Sequence, residues 1–167
     1  MIYRILLKPP AVDSLYSSRA AHNGGDKWPV YIKEYTIGYT DSDLVKSWFV
    51  DRNKISNDIY RDFLNKNSSS YFIKDMELNQ KYCHMLSSDS LKTITDNFWD
   101  QFYSNYPKAY GIITLSRVGF NKQHNRAFLR IDLDIRYGSG EKIYCFFDKV
   151  NSNWILSKVD KEIWTSD

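Results

Sequence analysis

The chain has 167 residues, the length of one domain, and at that size it can bury about 70% of the surface its unfolded form exposes without a metal or disulfide staple. Hydrophobic residues make up 43% and charged residues 26%, which excludes a disordered or collagen-like chain. A net charge of +3 argues for neither a nucleic acid nor a membrane surface, while an aromatic share of 16% must fill a core or face a partner.

Ile2 to Leu7, interrupted by Arg4, is too short for a signal-peptide core, and no small-residue cleavage site follows it. No run of about 18 apolar residues occurs anywhere, so the default expectation is a soluble, cytoplasmic protein. An exported form with its leader removed would read the same way. Pro9, Pro10, Ser17, Ser18, Gly24, Gly25 and Pro29 crowd the next segment. Residues 1–29 therefore read as a short N-terminal strand and a loose arm, and residues 30–167 as a single domain.

Val30 to Tyr39 is strand-like. Asp41 or Ser42 then caps a helical stretch over about 42–66, one bent helix or two short ones, with Leu44, Trp48, Ile55, Ile59 and Phe63 at the helical period and Asn65 to Ser70 ending it. Tyr71 to Leu86 reads as one or two weak strands. Ser87 or Ser88 caps a second helix over about 88–105, with Leu91, Ile94, Phe98 and Phe102 on one face, Trp99 and Tyr103 on the next, and Pro107 stopping it. Four strand-like runs follow: Gly111 to Val118, Arg126 to Tyr137, Glu141 to Val150 and Asn153 to Trp164. The junctions are rich in Gly and Asn, which is a hairpin signal. The expected fold is α+β, with N-terminal helices packed on one face of a C-terminal four-stranded antiparallel β-meander over about 111–164.

Leu129, Ile131, Leu133 and Ile135 alternate with Arg130, Asp132, Asp134 and Arg136, as in a half-buried strand. If Tyr137 pairs with Glu141, the apolar partners become Ile135–Ile143, Leu133–Cys145 and Ile131–Phe147. The other face then sets Arg130 against Asp148, Asp132 against Phe146 and Asp134 against Tyr144. Cys83 and Cys145, with no CxxC and no zinc-ligand spacing around them, read as reduced core thiols, and no metal or cofactor is expected.

Tyr106-Pro107, the run from Gly111 to Asn121 (GIITLSRVGFN), Ala127, Trp154 and Trp164-Thr165-Ser166 form a distinctive ending. It resembles a group of uncharacterised bacterial proteins of Bacteroidetes type with a "YP…GIITFSRVGFN…A…W…W-x-S" pattern. The resemblance covers the C-terminal third, and Leu115 stands where the pattern has Phe. It implies a shared domain and brings no activity with it.

Asp132 and Asp134 share a strand face about 7 Å apart, a spacing open to paired catalytic carboxylates. Arg130 and Arg136 flank them, however, and are expected to pull both pKa values down, giving a charge-balanced strand face. Arg117 offers a guanidinium for a carboxylate or phosphate, or ties its strand to Asp132, Asp134 or a helix C-terminus. Gly119 reads as an unusual backbone conformation and Asn121 as a hydrogen bond within the turn. His84 diverges from Cys83 on a strand, His124 lies in an exposed turn, and His22 sits in the arm. Tyr137, Tyr144 and Phe146 share the mixed face with Arg130 and Arg136. Such a face suits a protein interface or a second layer of the fold itself, while Asp132, Asp134 and Asp148 offset its positive charge and argue against nucleic acid.

With no Walker, HExxH, GxSxG or EF-hand pattern, the expectation is a domain without catalytic machinery. It binds a protein partner or small ligand through the outward face of the meander, using Arg117, Arg130, Asp132, Asp134, Arg136, Tyr144 and Phe146. One alternative is an NTF2-like cone whose pocket is lined by Arg117, Asp132 and Asp134 and roofed by Trp48 or Trp99. Another is an immunity- or antitoxin-like protein.

Overall fold

The computed structural model describes residues 29–38, 55–73, 83–92, 97–136 and 138–165. The N-terminal strand and arm, the cap at Asp41 or Ser42, Leu44, Trp48, Ile94, Tyr137 and His22 lie outside them. In chain order the elements are β1 (Val30–Lys33), α1 (Asn57–Lys66), β2 (Cys83–Leu86), α2 (Ser88–Lys92), α3 (Phe98–Asn105), β3 (Gly111–Leu115), β4 (Gly119–Phe120), β5 (Arg126–Ile135), β6 (Ser139–Val150) and β7 (Asn153–Thr165). The protein is α+β, and among the described residues no helix is long and apolar enough to cross a membrane.

The sheet is larger than a four-stranded meander. Among the described residues it has seven strands, in the order β2-β1-β3-β5-β6-β7 with β4 added to β5. The four expected runs supply the antiparallel part. β1 joins β3 in parallel and β2 joins β1 in parallel, an extension that local patterning did not announce.

Turn chemistry sets the two long hairpins. Asn151 and Ser152 both have positive φ, 48° and 67°, and Val150 pairs with Asn153, as a two-residue turn with the right-handed strand twist requires. Between β5 and β6, Gly138 takes φ 70° and the closing pair is Ile135–Ser139. This loop is as long as the Tyr137–Glu141 closure expected from the sequence but sits two residues earlier in the chain, which shifts the register by four residues. The true apolar partners are Leu129–Cys145, Ile131–Ile143 and Ala127–Phe147, while Arg130 faces Tyr144 and Arg126 faces Asp148. An even-numbered slip keeps every side chain on its expected face. It also moves Glu141 from the closing pair to a place opposite Leu133, within the sheet.

Glu141 is 1% exposed. Its carboxylate has no hydrogen bond, and the Lys161 ammonium 3.5 Å away balances its charge.

Val30, Ile32, Cys83, Ile113, Leu115, Leu129, Ile131, Leu133, Ile143, Cys145 and Phe147 form one core cluster, and both cysteines are unbonded within it. Burial pushes the thiols up to about 11 for Cys83 and about 12 for Cys145. The charged and aromatic side of β5 and β6 is buried as well. α1 packs Ile59, Tyr60 and Phe63 on Phe128, Tyr144 and Phe146. α3 packs Phe102 on Ile112, with Tyr31 beside them. These sheet residues are in register with the Arg130–Asp132–Asp134 side, so a second layer of the fold occupies much of the face expected to point outward.

α1 is docked by the SRVGFN run. The step from Leu115–Ile131 to Gly119–Phe128 leaves one extra residue on the β3–β4 side, a bulge across Ser116 to Val118. Ser116 bridges it: its backbone N–H donates to Arg130 O at 2.9 Å, and its hydroxyl accepts from Arg130 N–H at 2.9 Å. Asn67, 0% exposed, stands in for the missing strand partner of Arg117. Its Oδ1 accepts from Arg117 N–H at 2.6 Å, and its Nδ2 donates to Arg117 O at 3.0 Å and to Phe63 O at 2.7 Å. Gly119 does not adopt the unusual φ expected of it. It is glycine because a Cβ there would lie 2.7 Å from Phe63 Cβ and 2.9 Å from Phe63 Cα, where α1 presses on the strand.

Candidate functional site

Three arrangements among the described residues carry chemistry: a polar strip on the sheet, an exposed aromatic ladder, and a cleft along α1.

The strip begins on β5, where alternation places Arg130, Asp132 and Asp134 on one side. Arg130 grips Asp132 with both arms of its fork, Nε to Oδ1 at 2.6 Å and Nη2 to Oδ2 at 2.8 Å. The two side chains are 6% and 14% exposed, so this charge-assisted pair is well shielded from water. Across the ladder Tyr144 donates its hydroxyl to Glu162 Oε2 at 3.0 Å. Burial pushes the phenol well above its usual range, with the nearby Glu162 carboxylate adding to the shift and Arg130 opposing it.

Asp134 departs from the sequence expectation. Its carboxyl is raised rather than lowered, first by burial and then by the Asp132 charge, against the opposing pull of Lys33. Lys33 Nζ stands 3.8 Å away. Arg136 lies just past the end of β5 and has other partners. It pairs with Asp100 at 3.8 Å and lies 5.6 Å from the Tyr103 ring centroid.

Of the seven residues expected to form one surface, the structure brings together Arg130, Asp132, Asp134 and Tyr144. Phe146 packs under α1 at 7% exposure. Arg117 turns the other way. Its Nη1 donates to Lys66 O at 3.0 Å, capping the last turn of α1, and its guanidinium lies 4.8 Å from the Tyr71 ring centroid. A pocket shared by Arg117 with Asp132 and Asp134 does not follow from this arrangement.

The platform under Arg117 is a short antiparallel ladder, fixed by Thr36 N–H to Tyr71 O at 2.8 Å, Ile73 N–H to Glu34 O at 2.7 Å and Tyr71 N–H to Thr36 Oγ1 at 2.9 Å. Tyr35 and Phe72 face each other across it with ring centroids 5.2 Å apart. Tyr35, Tyr71 and Phe72 are 43%, 57% and 40% exposed. Sequence reasoning missed these three, because nothing local distinguishes them from strand aromatics bound for a core.

The cleft lies between α1 and the β4–β5 turn and encloses about 400 Å³. Asn57, Arg61 and Asn65, four residues apart on one helix stripe, form one wall, and Phe120, Lys122 and His124 form the other. Asp58 and Asp62 form the floor by capturing backbone N–H groups of Lys122 and Phe120 at 2.9 and 2.7 Å. Asp58, Asp62 and Lys66 stand four residues apart along α1, a stripe that the sequence analysis did not single out.

No protein-family model, curated protein or solved structure matches the chain.

Proposed function

We propose that the protein is a non-catalytic binding module that engages a protein partner through the ladder of residues 34–36 and 71–73 together with Arg117. The observation that carries this reading is the exposure of Tyr35, Tyr71 and Phe72 at 43%, 57% and 40% on a backbone already pinned by hydrogen bonds. Aromatics and arginine are the residues that interfaces concentrate. A surface held rigid before contact also loses little entropy on binding. The chemistry elsewhere supports a binding role rather than catalysis: Arg130 neutralises Asp132 within the fold, and both thiols are buried with raised pKa values. An immunity- or antitoxin-like role is one form of the same reading.

The test compares wild type with Tyr71→Ser plus Phe72→Ser, both exposed positions, purified from the native host. The expected outcome is a stoichiometric protein partner that co-elutes with wild type and is lost from the variant, with identical circular dichroism. A clean monomer from the native host, or a partner retained by both forms, sinks the reading.

A further inference from the structure

We propose that the cleft between α1 and the β4–β5 turn binds a small molecule carrying an oxyanion, either a phosphate monoester or a carboxylate. This site shares no residue with the aromatic ladder, so the two proposals stand or fall separately.

The argument starts from which charges are already used. Asp58 accepts from the backbone N–H of Ile59 at 3.0 Å and of Lys122 at 2.9 Å. Its carboxyl is held below the usual range by hydrogen bonding, first from the Ser56 side chain and then from the Lys122 amide. Asp62 accepts from Phe120 N–H at 2.7 Å and binds Lys66 Nζ at 2.6 Å. Both floor carboxylates thus serve the fold. The cations on the walls do not. Lys33, Lys66, Lys92, Arg126, Arg130, Arg136, Lys158 and Lys161 each have a carboxylate within ion-pair distance. Among the described residues Lys108, Arg117, Lys142, Lys149, Arg61 and Lys122 have none, and of these Arg61 and Lys122 line the same cleft, one from α1 and one from the turn.

Arg61 presents a planar fork that matches two oxygens of a carboxylate or phosphate, and Lys122 adds a point charge from the opposite wall. Asn57 and Asn65, one helical turn on either side of Arg61, supply neutral donors and acceptors.

The turn wall is built in advance of any ligand. Asn121 Oδ1 accepts from the N–H groups of Asn125 and Arg126 at 3.0 and 2.9 Å, and Asn121 Nδ2 donates to Gln123 and Asn125 side chains at 3.0 and 2.6 Å. His124, with φ 52°, stacks its ring on Phe120 at 5.4 Å. The volume of about 400 Å³ falls in the usual range for ligand pockets and exceeds what an inorganic anion fills, which leaves room for the organic part of a ligand.

The test is a titration of isotope-labelled protein, followed by amide NMR, with inorganic phosphate, phenyl phosphate and acetate at constant ionic strength and sodium chloride as the reference. Saturable shifts confined to Lys122, Gln123, His124 and the first turn of α1 are expected with at least one oxyanion. Phosphate binding without acetate binding assigns a phosphate ligand, and the reverse assigns a carboxylate. Arg61→Gln with Lys122→Gln, both at exposed positions, is expected to weaken the binding at least about tenfold while the rest of the spectrum is unchanged. Shifts that sodium chloride reproduces, that never saturate, or that survive the double substitution overturn the proposal.

Discussion

Helix α1 meets the sheet through directed hydrogen bonds. Asp58 and Asp62 take backbone N–H groups of the β4 segment, Asn67 fills a gap in the ladder beside Arg117, and Arg117 returns a cap to Lys66 O. Helix α3 meets the same sheet through rings. Phe102, 0% exposed, contacts Tyr31, Phe98, Trp99, Tyr103 and Tyr106, with centroids between 5.2 and 6.3 Å apart. Both helices bury an apolar face, but at α1 hydrogen bonds add direction to the packing, whereas at α3 the rings supply the contact. A directed contact tolerates little chemical change at constant volume, whereas an aromatic cluster tolerates chemical change wherever the volume is kept.

The largest expected effect lies on the α3 side. Phe102→Ala empties a fully buried site and is expected to cost about 3–5 kcal/mol in urea unfolding. Phe102→Leu, which keeps most of the volume, is expected to cost less than half as much. Equal losses for the two would break the contrast, since they would mean that ring geometry matters at α3 beyond the space it fills.

On the α1 side, Asn67→Ala is expected to cost about 2–4 kcal/mol, because it strands the partly buried N–H of Arg117, removes two further hydrogen bonds and empties a fully buried site. Asn67→Leu restores volume without donors or acceptors, so no rescue is expected. Stability recovered to within error of wild type would show that α1 is held by packing like α3.

The smallest effect is in pH dependence. Asp58 has a lowered folded-state pKa, so its contribution is complete above the ordinary carboxylate pKa of about 4 and fades as the pH falls through its folded value. Hydrogen exchange is therefore expected to quicken in the first turn of α1 on acidification before it does in α3. Asp134 runs the other way. Its raised pKa means that ionisation opposes folding as pH rises through the carboxylate range, and Asp134→Asn is expected to gain stability near neutrality. Uniform loss of protection across α1 and α3 on acidification would remove the distinction.

Part of the candidate surface was legible in the sequence. Arg117 and Asn121 stood out in the SRVGFN run, and Asn121 holds its turn as expected. The alternatives for Arg117 included a helix C-terminus, and that is where its guanidinium goes. Tyr35, Tyr71 and Phe72 gave no signal, because exposure depends on what the rest of the chain leaves uncovered. Arg61 and Lys122 gave none either, since an unpaired cation is recognised only after the carboxylates have been assigned.

The sequence alone determined the α+β class, the antiparallel succession of the four C-terminal runs, the side of β5 and β6 that is aliphatic, the turn at Asn151-Ser152 and the cap at Ser87, whose hydroxyl accepts from Ser90 N–H at 3.1 Å. Each rests on interactions within a few residues, where the two-residue period of a strand or the preference of a turn is written directly into the chain. The tertiary structure decided the parallel addition of β1 and β2, the burial of Glu141, the covering of the charged face and the docking of α1. These depend on contacts such as Asn67 with Arg117 and Asp58 with Lys122, 50 and 64 residues apart. Such pairs form only once long loops have closed, and no local pattern encodes which loop closes on which.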